Sequence, residues 1–130
     1  NFTEQSAWLK NQRPFWKDCH YILALAHHPL FSNGPSHPVA SKELSDFYES
    51  YVLGTFDFLI TGNEHVVEYL GERKGTTLVI SGAGGAVARG HLPGYVTLEK
   101  MNEQATSLVM KTKTIGRDGT INVKSYLKAN

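Results

Sequence analysis

Two stretches decide the fold, Tyr21 to Pro29 (YILALAHHP) and Phe56 to His65 (FDFLITGNEH). Each is an apolar run typical of a strand, and each ends in a cluster that contains histidine. Residues 41–52 between them carry apolar side chains at helical spacing. Strand, helix and strand in this order predict a right-handed βαβ unit with parallel strands. The two clusters then lie at the carboxyl edge of one sheet, where open α/β sheets bind their ligands.

Imidazoles at this edge suggest a metal site. His27 directly follows the first strand, so a rigid element would fix its ring. Neutral imidazole suits zinc, iron and related ions. Asn63 and His65 are two residues apart and would face the same side of an extended segment. On a turn, they could address one ion or two neighbouring ions, and two metals can activate water for phosphoryl displacement. Histidines after strands also occur with no ligand role.

Two further histidines could take part in chemistry. His37 lies in a loop rich in proline, where it could protonate a leaving alkoxide or be a solvated loop residue. His28 could orient His27, contact substrate or pack under the loop. Glu64 could be a partner of His65 or a solvated carboxylate. The sequence leaves these alternatives open.

Length and composition fit one small globular domain. The chain has 130 residues, 41% of them hydrophobic and 19% charged, with a net charge of +1. It has no basic run, so the electrostatic pattern of a nucleic-acid binder is absent. No apolar segment approaches the roughly 20 residues that span a bilayer. The tripeptide Asn1-Phe2-Thr3 matches the N-glycosylation pattern and predicts a glycoprotein.

The rest of the chain predicts mainly antiparallel strands around a glycine-rich loop. A short helix is expected from Thr3 to Gln12, ended by Pro14, and a buried strand over residues 20–26. Later elements are a hairpin with a five-residue turn at 71–75, a loop at 81–85, and strands at 95–100, 106–114 and 120–127. The loop does not open a clear helix, so it indicates close backbone approach rather than a phosphate cradle.

Four motifs in this order resemble the calcineurin-like metallophosphoesterases, and within them the purple (tartrate-resistant) acid phosphatases. They are Trp8-Leu9-Lys10, Ile22 to Ser32, Leu59 to His65, and Val79 to Gly85. The resemblance implies an α/β fold, a four-layer α/β/β/α sandwich in which one βαβ unit is followed by mainly antiparallel strands. It also implies that residues 1–130 are the carboxyl-terminal part of one such domain.

The resemblance assigns roles to individual positions. His27 matches the histidine that ends the family's V-x-x-H motif and binds the second, divalent metal. The G-H-x-H motif lies at Gly62 to His65. In it His65 matches a ligand of the first, ferric metal, and Asn63 replaces a histidine ligand of the divalent ion. His37 resembles, displaced by about one residue, the histidine that assists protonation of the leaving group.

These roles imply hydrolysis of phosphate monoesters by Fe and a second divalent metal, Zn, Fe or Mn. The family's aspartate motifs have no counterpart here, so the resemblance implies that an amino-terminal half of the same protein completes the site. It also implies a secreted, lysosomal or other secretory-pathway location. The alternative is a phosphatase-like scaffold or anchor that lost a ligand at Asn63. An amide oxygen is a weaker ligand than imidazole for zinc or iron.

Overall fold

A computed structural model describes residues 1–36, 39–104 and 106–129. In chain order its elements are α1 (Phe2–Trp16), β1 (Leu23–Ala26), α2 (Lys42–Tyr51), β2 (Phe58–Thr61), β3 (Val67–Arg73), β4 (Thr76–Ser81), β5 (Gly94–Lys100), β6 (Leu108–Ile115) and β7 (Ile121–Lys128). The predicted proton donor His37 lies outside the described residues.

The predicted βαβ unit is present. Strands β1 and β2 pair in parallel, with Leu23 opposite Phe58 and Ala26 opposite Thr61, and α2 connects them. Strand β4 also pairs with β2 in parallel, and β3 pairs with β4 antiparallel, so the first sheet has the order β1-β2-β4-β3. Strands β5, β6 and β7 form a separate antiparallel sheet. The α/β fold class is thereby confirmed.

The described elements form three of the four expected layers: helices, the four-stranded sheet and the three-stranded sheet. One core cluster joins the helices to the first sheet through Phe47 and Tyr48 of α2 and Leu59 of β2. A second cluster joins the two sheets through Phe58, Val79 and Met110. Strands β2 and β4 are thus buried on both faces, which explains their nearly continuous apolar sequence.

Three local predictions were wrong. Helix α1 is capped by Asn1, whose side chain accepts a hydrogen bond from the Glu4 amide, so it begins before Thr3. It also continues through Pro14 to Trp16 and does not end at the proline. The strand expected at 20–26 is shorter and only half buried, because β1 is an outer strand of its sheet. The β3–β4 turn contains only Lys74 and Gly75, because Gly71 lies within β3 at an irregularity with positive φ.

The lengths and compositions of the two helices are far from those of a membrane span: over the described residues, neither could cross a bilayer.

Candidate active site

The ends of β1 and β2 meet as the βαβ unit predicts. The Gly62 amide donates a hydrogen bond to the His27 carbonyl at 3.0 Å, so the segments that carry His27 and Asn63 are adjacent. The rings of His27 and His28 lie 4.7 Å apart and nearly perpendicular, and both residues are exposed. Two imidazoles therefore stand together at the carboxyl end of β1.

Helix α2 fixes the backbone of the histidine pair. The Tyr48 hydroxyl donates to the His28 carbonyl at 2.5 Å. Tyr48 is one of the buried residues of α2, and burial raises the pKa of its phenol to about 12. The hydroxyl therefore keeps its proton at neutral pH and remains a donor.

The turn after β2 has an unusual backbone. Asn63 has a φ of 61°, in the left-handed region that asparagine tolerates better than most residues. Across Asn63, the Glu64 amide donates to the Gly62 carbonyl at 2.7 Å, and just after it the Val66 amide donates to the Glu64 carbonyl at 2.8 Å. The predicted ligands Asn63 and His65 therefore lie in a tight turn just beyond the end of β2.

The Asn63 side chain carries a buried polar atom that no hydrogen bond satisfies. Its Nδ2 is the one such side-chain atom among the described residues. Rotation of the amide exchanges Oδ1 and Nδ2, so this position can offer either a donor or an acceptor. An unpaired buried amide is costly, and a ligand that pairs with it relieves that cost.

His27, His28 and Asn63 share one open cavity of about 900 Å³. Apolar side chains of α1, α2 and β1 form most of its remaining wall, among them Trp8, Leu25 and Tyr48. His65 does not line this cavity. The residue is exposed, and its carbonyl accepts a hydrogen bond from the Ala88 amide at 2.9 Å.

Glu64 is buried, so the alternative of a solvated carboxylate was wrong. It is 0% exposed, and its Oε1 accepts a hydrogen bond from the Ser36 amide at 3.1 Å. Its neighbour Gly82 supports the predicted close approach, since a Cβ on Gly82 would lie 1.9 Å from the Glu64 carbonyl oxygen.

Sequence reasoning did not identify Glu68. Its carboxylate accepts hydrogen bonds from the amide and side chain of Asn33, at 3.1 and 2.6 Å. The two residues are 35 positions apart, and no local pattern links them. They meet because Glu68 lies in β3 and the loop after β1, which carries Asn33, passes beside that strand.

Comparisons with known proteins show which sequences and folds this chain resembles. No protein-family model matches the sequence. The chain is similar to tartrate-resistant acid phosphatase type 5 from Homo sapiens, 31% identical over 83 residues that cover 62% of this chain and 24% of that protein. The protein of the same name from Sus scrofa is also 31% identical over 83 residues, covering 62% of this chain and 23% of that protein. The match thus spans about a quarter of the length of these relatives.

Among solved structures, the fold is similar to Vps29 from Entamoeba histolytica in complex with Zn²⁺. The TM-score is 0.51 and the identity 21%, and the match covers 79% of this chain and 52% of that one. The chain thus resembles a metallophosphoesterase in part of its sequence and in its fold. This confirms the resemblance and the fold class inferred from the sequence, at the level of a metallophosphoesterase-type sandwich.

The metal-ligating side chains of the described residues fit only part of a metal site. Over residues 1–36, 39–104 and 106–129, no group of three or more His, Cys, Asp or Glu side chains is placed to hold an ion. The chain does offer imidazoles at His27 and His65, and the unsatisfied amide of Asn63. These donors fit part of a metal site, so further ligands would have to come from other residues. The ligand roles of these three residues and the role of His28 stay predictions.

Proposed function

We propose that this chain supplies the histidine side of a metal-dependent phosphatase site that hydrolyses phosphate monoesters. An amino-terminal half of the same protein, outside this chain, would supply the remaining ligands. One observation carries the proposal: His27 and Asn63 follow neighbouring parallel strands and line the same cavity. The similarity to tartrate-resistant acid phosphatase supports the choice of reaction.

His27, His65 and Asn63 would hold the metals, with Fe and a second divalent ion, Zn, Fe or Mn, as the expected pair. When bound, such ions supply a Lewis acid and lower the pKa of water. Residues of the chain would contact the substrate and protonate the leaving group. His28, fixed through its backbone by Tyr48, would contact the substrate, and His37 would donate a proton to the leaving oxygen.

The test uses the protein purified without denaturation together with every chain that accompanies it. We expect bound metal and hydrolysis of p-nitrophenyl phosphate at acidic pH. His27→Ala and His65→Ala should each lower metal affinity more than about tenfold and abolish turnover, because each removes a proposed ligand. His20→Gln is the matched control, since His20 is also exposed but precedes β1. Metal content and turnover unaffected by both alanine variants would contradict the proposal.

Asn63 favours a second candidate, a phosphatase-like scaffold without catalysis. An amide is a weaker ligand than imidazole for zinc or iron, so a metal site with Asn63 could be empty in the folded protein. Absence of both metal and turnover in the folded, complete protein would support the scaffold.

The Asn63→His variant distinguishes a metal site that is only weakened by asparagine from one that is absent. If the amide merely weakens binding, histidine at position 63 should raise Zn²⁺ affinity by about tenfold, measured by isothermal titration calorimetry. Histidine is also among the residues that tolerate the left-handed backbone at this position. Unchanged affinity in a folded variant would show that position 63 does not limit metal binding.

A further inference from the structure

Asn33 is the only asparagine in the sequence that a glycine directly follows. An asparagine loses ammonia when the next backbone amide nitrogen attacks its side-chain carbonyl carbon. Glycine favours this attack because it carries no side chain and leaves the backbone free to adopt the required geometry. Asn33 is also exposed, so water can reach the reacting atoms. Asn33 and Gly34 are therefore the pair in this chain most suited to deamidation.

Packing requires the glycine of this pair. Gly34 is buried, and a Cβ on it would lie 2.5 Å from the Cγ of Glu64 and 2.6 Å from its Oε1. The same Oε1 accepts a hydrogen bond from the Ser36 amide at 3.1 Å, so displacement of the carboxylate would break that bond. The fold therefore keeps the glycine that makes Asn33 reactive.

Hydrogen bonds hold both reacting groups of the pair. The Glu68 Oε1 accepts from the Asn33 backbone amide at 3.1 Å and from the Asn33 Nδ2 at 2.6 Å. The Gly34 amide, which would be the nucleophile, donates to the Ser32 hydroxyl oxygen at 2.8 Å. That hydroxyl donates in turn to the Glu68 Oε2 at 3.4 Å. Because the leaving amide and the nucleophilic nitrogen are both engaged, ring closure requires a local opening that breaks these bonds.

We propose that Asn33 is a deamidation site, and that Glu68 and Ser32 keep it from reacting while the loop of residues 31–36 stays bonded to β3. When the loop opens, the Gly34 amide nitrogen gives its proton to solvent and forms a bond to the Asn33 Cγ. The bond from Cγ to Nδ2 breaks, and Nδ2 leaves as ammonia with a proton taken from solvent. Water then opens the resulting succinimide ring to aspartate or isoaspartate. The net reaction consumes water, releases ammonia and adds a negative charge.

The product cannot bind Glu68 as asparagine does. Deamidation replaces Nδ2, a donor, by an oxygen that only accepts when ionised. The new carboxylate then faces the Glu68 carboxylate across the contact of 2.6 Å that the amide made, and like charges at this distance repel. Isoaspartate also lengthens the backbone between residues 33 and 34. The modification therefore releases the loop from β3, and the release does not reverse.

The test follows deamidation of the complete, folded protein at mildly alkaline pH by mass spectrometry of its peptides. Glu68→Ala should raise the rate at Asn33 about tenfold, and Ser32→Ala should also raise it, because each removes a bond that otherwise has to break first. Glu68→Gln should keep the rate within about twofold of the unsubstituted protein, since its amide oxygen can still accept from Asn33. Glu72→Ala is the control, as Glu72 lies in the same strand but bonds Lys128.

Two further measurements separate local protection from global unfolding. The unsubstituted protein should deamidate at Asn33 more than about tenfold faster in urea than when folded. Hydrogen exchange at the amide of Leu59, a core residue of β2, should stay unchanged in Glu68→Ala. Equal rates in urea and in the folded protein, unchanged rates in both alanine variants, or a parallel rise of exchange at Leu59 would each overturn the proposal.

Asn33→Asp tests the consequence of the modification directly. Hydrogen exchange at the Gly34 amide should rise about tenfold, because the new carboxylate is repelled by Glu68 and the loop opens more often. Adding Glu68→Gln to this variant should restore most of the protection, since the glutamine amide can donate to that carboxylate. Unchanged exchange in Asn33→Asp would overturn the release of the loop.

Discussion

Gly82 and Gly84 lie in the same loop, but their surroundings differ sharply. A Cβ on Gly82 would lie 1.9 Å from the Glu64 carbonyl oxygen and 2.9 Å from the Glu64 carbonyl carbon, both backbone atoms. A Cβ on Gly84 would meet nothing within 4 Å. The loop therefore needs glycine at one of these positions for space and tolerates a larger residue at the other.

Gly82→Ala should destabilise the protein by about 3 kcal/mol, because the backbone of the turn at Glu64 must move to admit the methyl group. Gly84→Ala should change stability by less than about 0.5 kcal/mol. Urea unfolding of the two variants measures the difference. Similar midpoints for both would show that the turn at Glu64 is not packed against Gly82.

At the scale of single residues, the sequence predicted where in the fold a residue lies better than it predicted which residue it bonds. That His27 and Asn63 come close follows from the order strand, helix, strand, because parallel strands end at the same edge. The contact of Glu68 with Asn33 could not be predicted, since it depends on the path of a loop across the sheet. The sequence left open whether Glu64 is solvated for a similar reason. Its buried position depends on close packing against Gly34 and Gly82, which are distant in the chain.

Among the elements, α2 has the most direct effect on the candidate site. It connects the two parallel strands, and its Tyr48 holds the His28 carbonyl. Because burial raises the Tyr48 pKa from its usual 10.0 to about 12, the folded state keeps the phenol protonated where the unfolded chain would ionise it. The resulting stability is fully present below pH 10 and is lost as the pH rises towards 12.

Tyr48→Phe should cost about 1–2 kcal/mol at pH 7, because it leaves the His28 carbonyl without its hydroxyl donor. The cost should shrink between pH 10 and pH 12, since phenylalanine does not ionise in the unfolded chain. Urea unfolding from pH 7 to the highest pH at which both proteins fold measures this trend. Tyr95→Phe is the control, as Tyr95 is 43% exposed. A cost that is constant across this range would contradict the argument.

Element boundaries were where sequence reasoning was least accurate, and tertiary contacts explain why. Proline usually ends a helix, yet α1 continues past Pro14 to Trp16, whose ring packs against Phe56 at 5.3 Å. Glycine usually indicates a turn, yet Gly71 lies within β3, where its positive φ accommodates an irregular pairing. In both cases a local rule was outweighed by packing or pairing with a distant segment.

For the whole molecule, the order of elements predicted the βαβ unit and the antiparallel strands after it, whereas the sandwich of two sheets covered by helices was implied by the family resemblance. The packing between the sheets depends on a few side chains. Met110 of β6 is 1% exposed and packs in one core cluster with Phe58 and Val79 of the first sheet. The rings of Tyr69 and Tyr126 stack across the same interface, 3.8 Å apart. We therefore expect the two sheets to unfold together.

Met110→Ala should destabilise the protein by about 3 kcal/mol, since it removes a buried side chain from the interface between the sheets. Val123→Ala is the control on β7, because Val123 is 50% exposed, and it should cost less than about 1 kcal/mol. Thermal unfolding followed by far-ultraviolet and near-ultraviolet circular dichroism gives both the cost and the cooperativity. Two separate transitions in the unsubstituted protein would show that the sheets unfold independently.

Gly34 and Gly82, which pack against Glu64, limit how these three positions can vary among homologous proteins. Gly34 leaves room for the Glu64 side chain and Gly82 for its backbone, so the three positions share one confined space. Substitution at any of them restricts what the others can become. In homologous proteins we therefore expect residues 34 and 64 to covary, with a shorter side chain at 64 wherever 34 is larger than glycine, while 82 stays glycine throughout.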